Sequence, residues 1–371
     1  MKIPIAKHEI TKKDCQAVEK TLKSSYIACG PKIKEFEEKI SKYVNRKYGV
    51  AVSSGTAALH IIIRSLGIKK GDEVITSPFS FIASSNCILF EGAKPVFVDI
   101  DPITRNIDPR KIEKRITKKT KAILAIDIFG QTADWGPILK IAKKYKLKII
   151  EDSCEALGSE YKNRKCGSFG DASAFAFFPN KQITTGEGGM IVTDNEKIYK
   201  MALSLRNQGR SADPKWLKYE RLGFNYRISD INCALGISQF ERIESIIKRR
   251  QRVVDTYNKY LSKIKKIRIP QRAKYANKIN WMHYTIEIDD SYSKKDRDNI
   301  MKKLRENGIG CREYFPSIHL FSFYKKMFNY KKGDCPISEK ISDHVISLPM
   351  FNALTERQIS YITKTLKNII L

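Results

Sequence analysis

Residues Ala174 to Thr193 read AFAFFPNKQITTGEGGMIVT, and their division into strand, stop and turn decides the fold. Ser173 to Phe177 is an apolar run stopped by Pro179, as a buried strand would be, and Met190 to Thr193 is a second such run. Gly186, Gly188 and Gly189 allow tight backbone between them. Lys181 therefore stands at a strand end, not on the solvated face of a helix. If Phe175, Phe177 and Phe178 wall it, burial disfavours its ammonium form. A free amine attacks carbonyls and can hold a cofactor as a Schiff base. In a chain this rich in lysine the same residue also reads as an ordinary loop lysine, so its surroundings must decide.

Towards the N-terminus the pattern alternates. Tyr48 to Val52, Glu73 to Thr76, Pro95 to Asp99, Lys121 to Asp127 and Lys148 to Asp152 read as strands. Helical patterns over Ser80 to Phe90 and Trp135 to Tyr145 lie between them, and Asp14 to Leu22 and Ile33 to Val44 form amphipathic helices ahead. This β, α, β rhythm predicts a mostly parallel sheet covered by helices, with ligands at the carboxyl ends of its strands. Three stretches stand at such ends. In SSGTAALHIII, Ser53 or Ser54 caps a helix whose first residues, Gly55 and Thr56, offer free backbone N–H groups to a phosphate; an ordinary capped helix has the same look. Phe81 follows one strand and Asp152 ends another, each readable also as a core ring and a turn cap.

From Ser229 to about Ile264 a proline-free helical pattern, apolar at first and then strongly charged, carries the chain out to a smaller unit. There Trp281 to Ile288 alternates like a half-exposed strand, Lys295 to Asn307 looks helical, and Glu356 to Ile369 is an amphipathic helix. The expected division is a large domain over 1–245 and a small C-terminal α+β domain over 246–371.

The chain has 371 residues, 42% hydrophobic and 29% charged, enough for one large α/β core and a smaller domain. No apolar run is long enough to span a membrane, and the first ten residues lack a signal-peptide pattern, so a cytoplasmic protein is expected. The eight cysteines form no CxxC pair and no metal-ligand spacing; reduced, mostly packed thiols and no metal are expected. A formal charge of +29 raises nucleic-acid binding or a regulatory role as an alternative class. The lysines are dispersed, however, with no basic arm, zinc pattern or RNP-like run, which favours a solvated surface whose field would draw an anionic small substrate.

Taken together, SSGTAALH, EVITSPFSFIASSN, GAKPVFVDID, EDSCEALGS, FFPNKQITTGEGGM and LGFNYRISDINCALG resemble the DegT-type family of pyridoxal-phosphate-dependent nucleotide-sugar aminotransferases, on its perosamine-synthetase side. The likeness runs from IPIAKHEI to YFPSIHL. It implies the aspartate-aminotransferase fold (fold type I), with a seven-stranded sheet in the large domain and a homodimer whose active sites lie at the interface. It also implies roles. Lys181 would bind pyridoxal 5'-phosphate covalently and shuttle a proton; Asp152 would pair with the pyridine nitrogen and keep it protonated. Gly55 and Thr56 would hold the phosphate, Phe81 would stack on the ring, and Asn225 would reach the phosphate in the neighbouring subunit. Arg312, Tyr314 and His319 are candidates for the substrate end.

The sequence departs from the family pattern where relatives carry a serine five residues before the lysine; this chain has Ala176. Glu155 takes the place of a histidine or glutamine near the phenolic oxygen, where a carboxylate is unfavourable unless protonated or turned away. The activity implied is transamination by a ping-pong cycle through pyridoxamine phosphate (PMP), from an amino acid, L-glutamate by resemblance, to a nucleotide-linked 3-keto or 4-keto deoxysugar. A PMP-dependent sugar dehydratase on the same fold is the alternative, against which Lys181 argues, since such relatives carry histidine there.

Overall fold

The computed structural model describes residues 1–211 and 218–370. Its centre is a seven-stranded sheet of β1 (Tyr48–Val52), β2 (Glu73–Thr76), β3 (Lys94–Phe97), β4 (Thr120–Ile126), β5 (Lys148–Asp152), β6 (Ala172–Ala176) and β7 (Gly189–Thr193). The order is β1-β7-β6-β5-β4-β2-β3, and only β7 runs against the others. Interior strands such as β5 and β6 are buried over four of their five residues, as in a sheet covered on both faces by helices. Asp152 sits across from Ile126 on one side and Ala174 on the other, so its side chain is delivered at the very end of the sheet.

The helix Gly55–Ser65 follows β1. Ser54 caps it, accepting from Ala57 N at 3.0 Å, and Ala57 to Ile63 are all buried, which seats its N-terminus firmly. The helix expected over Ser80 to Phe90 is shorter, Ala83–Leu89, because Ser80 to Ile82 stay in the turn that leaves β2.

Two expectations are corrected. The helix from Ser229 to Ile264 is broken into Asp230–Phe240 and Ile243–Leu261. Arg242 leaves helical geometry there, and its guanidinium bonds Asp14 at 2.6 Å and faces Glu9 at 3.7 Å, so a distant ion cluster sets the break. The strand expected over Trp281 to Ile288 is Tyr284–Ile288, and it is wholly buried. It is the middle of a three-stranded antiparallel sheet with Ile267–Arg268 and Val345–Leu348. Its polar residues are covered by Arg105, which donates to the Thr285 carbonyl and hydroxyl and lies 3.6 Å from Glu287. Helices Ile243–Leu261, Lys294–Glu306 and Glu356–Ile370 pack with this sheet around one core. Ile3 joins that core, with backbone bonds to Gly308 and Gly310, although it lies at the opposite end of the sequence. Among the described residues no helix is long and apolar enough to cross a membrane.

Candidate active site

The carboxyl ends of β1, β2, β4, β5 and β6 converge with the start of Tyr284–Ile288. Asp152 is buried, with Oδ2 accepting from Ser84 Oγ at 2.6 Å and Oδ1 from Cys154 N at 3.1 Å. Ser84 is itself 3.0 Å from Ser80 Oγ, which fixes its hydroxyl. These charge-assisted bonds hold the carboxylate in one orientation.

Lys181 Nζ lies 3.5 Å from Glu155 Oε1. The expected aromatic wall is absent: Phe175 and Phe177 turn into the core with Phe36 and Ile40, and Phe178 is exposed. The lysine's neighbour is a carboxylate instead. Glu155 Oε2 accepts from Phe129 N at 2.8 Å, and its backbone carbonyl accepts from Gln182. Burial pushes the Glu155 carboxyl up from its ordinary value, while the Lys181 charge and the Phe129 N–H pull it back. His283 Nε2 stands 3.9 Å from the same Oε1, its ring against Phe129 and Tyr314. Burial first, and then the Lys181 charge, hold this histidine well below its ordinary value, so the ring is neutral at pH 7. Cys154 completes the floor, its thiol pushed well up by burial and by the Asp152 carboxylate and therefore protonated.

A pyridoxal phosphate group fits these residues. A Cβ on Gly55 would stand 2.6 Å from Ala176 Cβ and 3.0 Å from Cys154 Sγ, so only glycine fits this floor, and the Gly55 and Thr56 N–H groups are presented at the helix end. The donor set is also right, an amine beside a carboxylate and a second, fixed carboxylate for a ring nitrogen. Phe81, 59% exposed, flanks a cavity of about 260 Å³ with Ile82, Arg312, Tyr314, Phe315 and Phe321.

The other candidates divide. Arg312 and Tyr314 line that cavity beside Phe81, and Tyr314 also touches His283. His319 does not: it is fully buried, 2.9 Å from Glu339 and packed near Phe97 and Tyr330. Asn225 is exposed on the segment whose Tyr226 carbonyl accepts from Ser53 N, one residue before the helix cap. Ser84, Cys154 and His283 escaped the sequence reading. Ser84 lies in the same motif as Phe81, but nothing in a lone serine indicates a bond to a carboxylate 68 positions away.

A model of the DegT/DnrJ/EryC1/StrS aminotransferase family matches residues 8–367, and the chain belongs to this family. It is 35% identical to GDP-perosamine synthase of Escherichia coli O157:H7, over 98% of this chain and 97% of that protein. Its fold matches Helicobacter pylori PseC, an aminotransferase involved in the biosynthesis of pseudoaminic acid, with TM-score 0.95 at 28% identity, covering 100% of this chain and 99% of that one. It also matches Spr1654 of Streptococcus pneumoniae, known in PLP and PMP forms, with TM-score 0.95 at 28% identity over 100% of this chain and 98% of the other. The fold is thus that of the pyridoxal-phosphate-dependent aminotransferases, and the protein is a sugar aminotransferase.

Proposed function

We propose that this protein moves an amino group from L-glutamate to a keto-deoxysugar carried on a nucleotide, with pyridoxal 5'-phosphate as cofactor. The product would be an aminosugar nucleotide for a surface glycan or a glycosylated metabolite. The observation that carries this reading is the placement of Lys181 beside Glu155 on one side and of Asp152, locked by Ser84, on the other, all at the carboxyl ends of one sheet.

The cofactor, when bound, supplies an electron sink for the charge left as a Cα proton departs. Lys181 would hold it covalently through Nζ, and the same amine is the group that would carry the proton. Asp152 keeps a proton on the ring nitrogen, and its two donors prevent the carboxylate from turning away. Gly55 and Thr56 bind the phosphate through backbone N–H groups, without the hydroxyl that relatives have at the position of Ala176. Phe81 covers the ring face, and Arg312 and Tyr314 meet the substrate in the cavity beside it. Asn225 reaches the partner subunit's phosphate in a homodimer, which its exposure permits. Neutral His283 and Glu155 exclude water around Lys181 and hold its amine in place.

The test is to incubate the purified protein with glutamate and a panel of nucleotide-linked 3-keto and 4-keto deoxysugars, following 2-oxoglutarate and sugar mass. One sugar should gain an amino group in place of its oxo group, in step with 2-oxoglutarate. Release of 2-oxoglutarate without amination of any sugar would remove the acceptor from the proposal.

A further inference from the structure

Below the site, three side chains form a buried chain that the transamination does not use. Ser153 Oγ lies 2.7 Å from Asp127 Oδ2 and 3.0 Å from Glu151 Oε1, and all three residues are fully buried. We propose that Asp127 carries a proton at neutral pH and that the chain Asp127–Ser153–Glu151 clamps the turn bearing Asp152, Cys154 and Glu155.

A hydroxyl has one proton and cannot donate to two carboxylates at once. A second proton must therefore lie in the chain, since two bare carboxylates facing a buried hydroxyl would leave one contact repulsive. Its place follows from the other partners. Glu151 is an acceptor throughout: Gly167 N and Ser153 reach Oε1, and Phe169 N and Ser173 Oγ reach Oε2 at 2.9 and 2.7 Å. Asp127 Oδ1 is occupied by Ala133 N at 2.8 Å and Trp135 Nε1 at 3.2 Å, leaving Oδ2 to carry the proton and donate to Ser153. Ser153 then donates to Glu151. Burial and then the facing Glu151 charge favour the neutral form of Asp127 over the opposing pull of its contacts with Ser153, Ala133 N and Cys166, the other titratable group against it, which burial holds as a thiol.

The clamp reaches the site through the backbone. Asp127 N donates to the Asp152 carbonyl and Ser153 N to the Ala174 carbonyl, both at 3.0 Å, so Ser153 is pinned on both flanks between two site residues. Asp127 is in this sense a positioning residue. Once it ionises at alkaline pH the chain loses a donor, and the turn loosens. Asp127→Asn keeps a donor towards Ser153 and does not titrate.

The test has one arm that does not depend on the proposed function. Infrared spectra at neutral pH of protein labelled with carbon-13 at the aspartate carboxyls should show a protonated-acid carbonyl band that shifts with the label and is missing in Asp127→Asn. Labelling assigns the band to aspartate, its loss in Asp127→Asn assigns it to Asp127, and its absence from wild type counts against the proposal even if the variant fails to fold. In urea unfolding, the folding equilibrium constant of wild type relative to Asp127→Asn should fall about tenfold per pH unit, from the unfolded aspartate pKa near 3.9 up to the folded one, because only the unfolded state loses the proton. The second arm rests on cofactor binding: the visible band of bound pyridoxal phosphate should persist to higher pH in Asp127→Asn. Absence of the infrared band, or parallel stability curves, would overturn the proposal. So would a stoichiometric metal ion, since Asp127, Glu151 and Cys166 present ligand atoms within 4.8 Å of one another and a cation would then balance the pair. A labelled band without any pH difference in cofactor retention would leave the proton in place and remove the positioning role.

Discussion

Lys181 Nζ and Glu155 Oε1 lie 3.5 Å apart, with neutral His283 3.9 Å from the same oxygen, so the lysine's charge bears directly on the carboxyl. Glu155 is raised by burial and lowered by the lysine. A raised carboxyl contributes stability that is present below its unfolded value, near 4.5, and is lost as pH rises through the folded value. Wild type should therefore weaken relative to Glu155→Gln above about pH 4.5, by roughly 1.4 kcal/mol per pH unit until Glu155 ionises. In Lys181→Ala the loss should continue to higher pH. Urea unfolding across pH reads both; an unchanged window in Lys181→Ala would show that the pair is uncoupled.

Asp152→Asn should retain cofactor yet slow Cα proton removal by orders of magnitude, because an amide does not favour a protonated ring nitrogen. Ser84→Ala removes a bond to a charged acceptor, an interaction of about 1.5–3 kcal/mol, and should slow the same step more mildly, by around tenfold. Stopped-flow spectra of the glutamate half-reaction report both. Equal rates in Asp152→Asn and wild type would reduce Asp152 to a turn cap.

Gly55→Ala places a methyl 2.6 Å from Ala176 Cβ, which has no flexible end to move aside. Overpacking of this kind costs about 1–3 kcal/mol. The variant should unfold at lower temperature and bind pyridoxal phosphate more weakly, both measurable by calorimetry. Unchanged affinity would separate the helix end from the phosphate.

How much of this was legible depended on whether the signal was local. The strands Tyr48–Val52, Glu73–Thr76 and Lys148–Asp152 each hold β-branched apolar residues (Val50 and Val52, Val74 and Ile75, Ile149 and Ile150) and end at a serine-containing turn, so the sequence alone delimits them. The break at Arg242 was hidden because both flanks are helical and no glycine or proline marks it; Asp14 and Glu9, more than 220 residues away, make it. Thr285 and Glu287 looked solvent-facing because the arginine that covers them comes from residue 105. His319 lies in a motif that resembles a substrate segment, yet Glu339 draws it into the interior. Ser84 and His283 act through contacts that only the folded chain creates.

If Asn225 serves the partner's site, Asn225→Ala and Lys181→Ala subunits should complement. A mixed dimer would carry one site with both defects and one with neither. In a random one-to-one mixture activity should recover to roughly a quarter of wild type, as two-fold symmetry requires. Mixing with demonstrated subunit exchange and no recovery would put Asn225 in the same site as its own Lys181, or outside the site.

Reductive trapping decides whether Lys181 is the residue that carries the cofactor. The purified protein should bind pyridoxal phosphate with a visible absorbance band, and borohydride should fix the cofactor irreversibly, with peptide mass mapping placing the added mass on Lys181. Lys181→Ala should trap none while keeping the wild-type fold. Recovery of the label on a different lysine, or no trapping despite bound cofactor, would contradict the assignment of Lys181 and the transamination built on it.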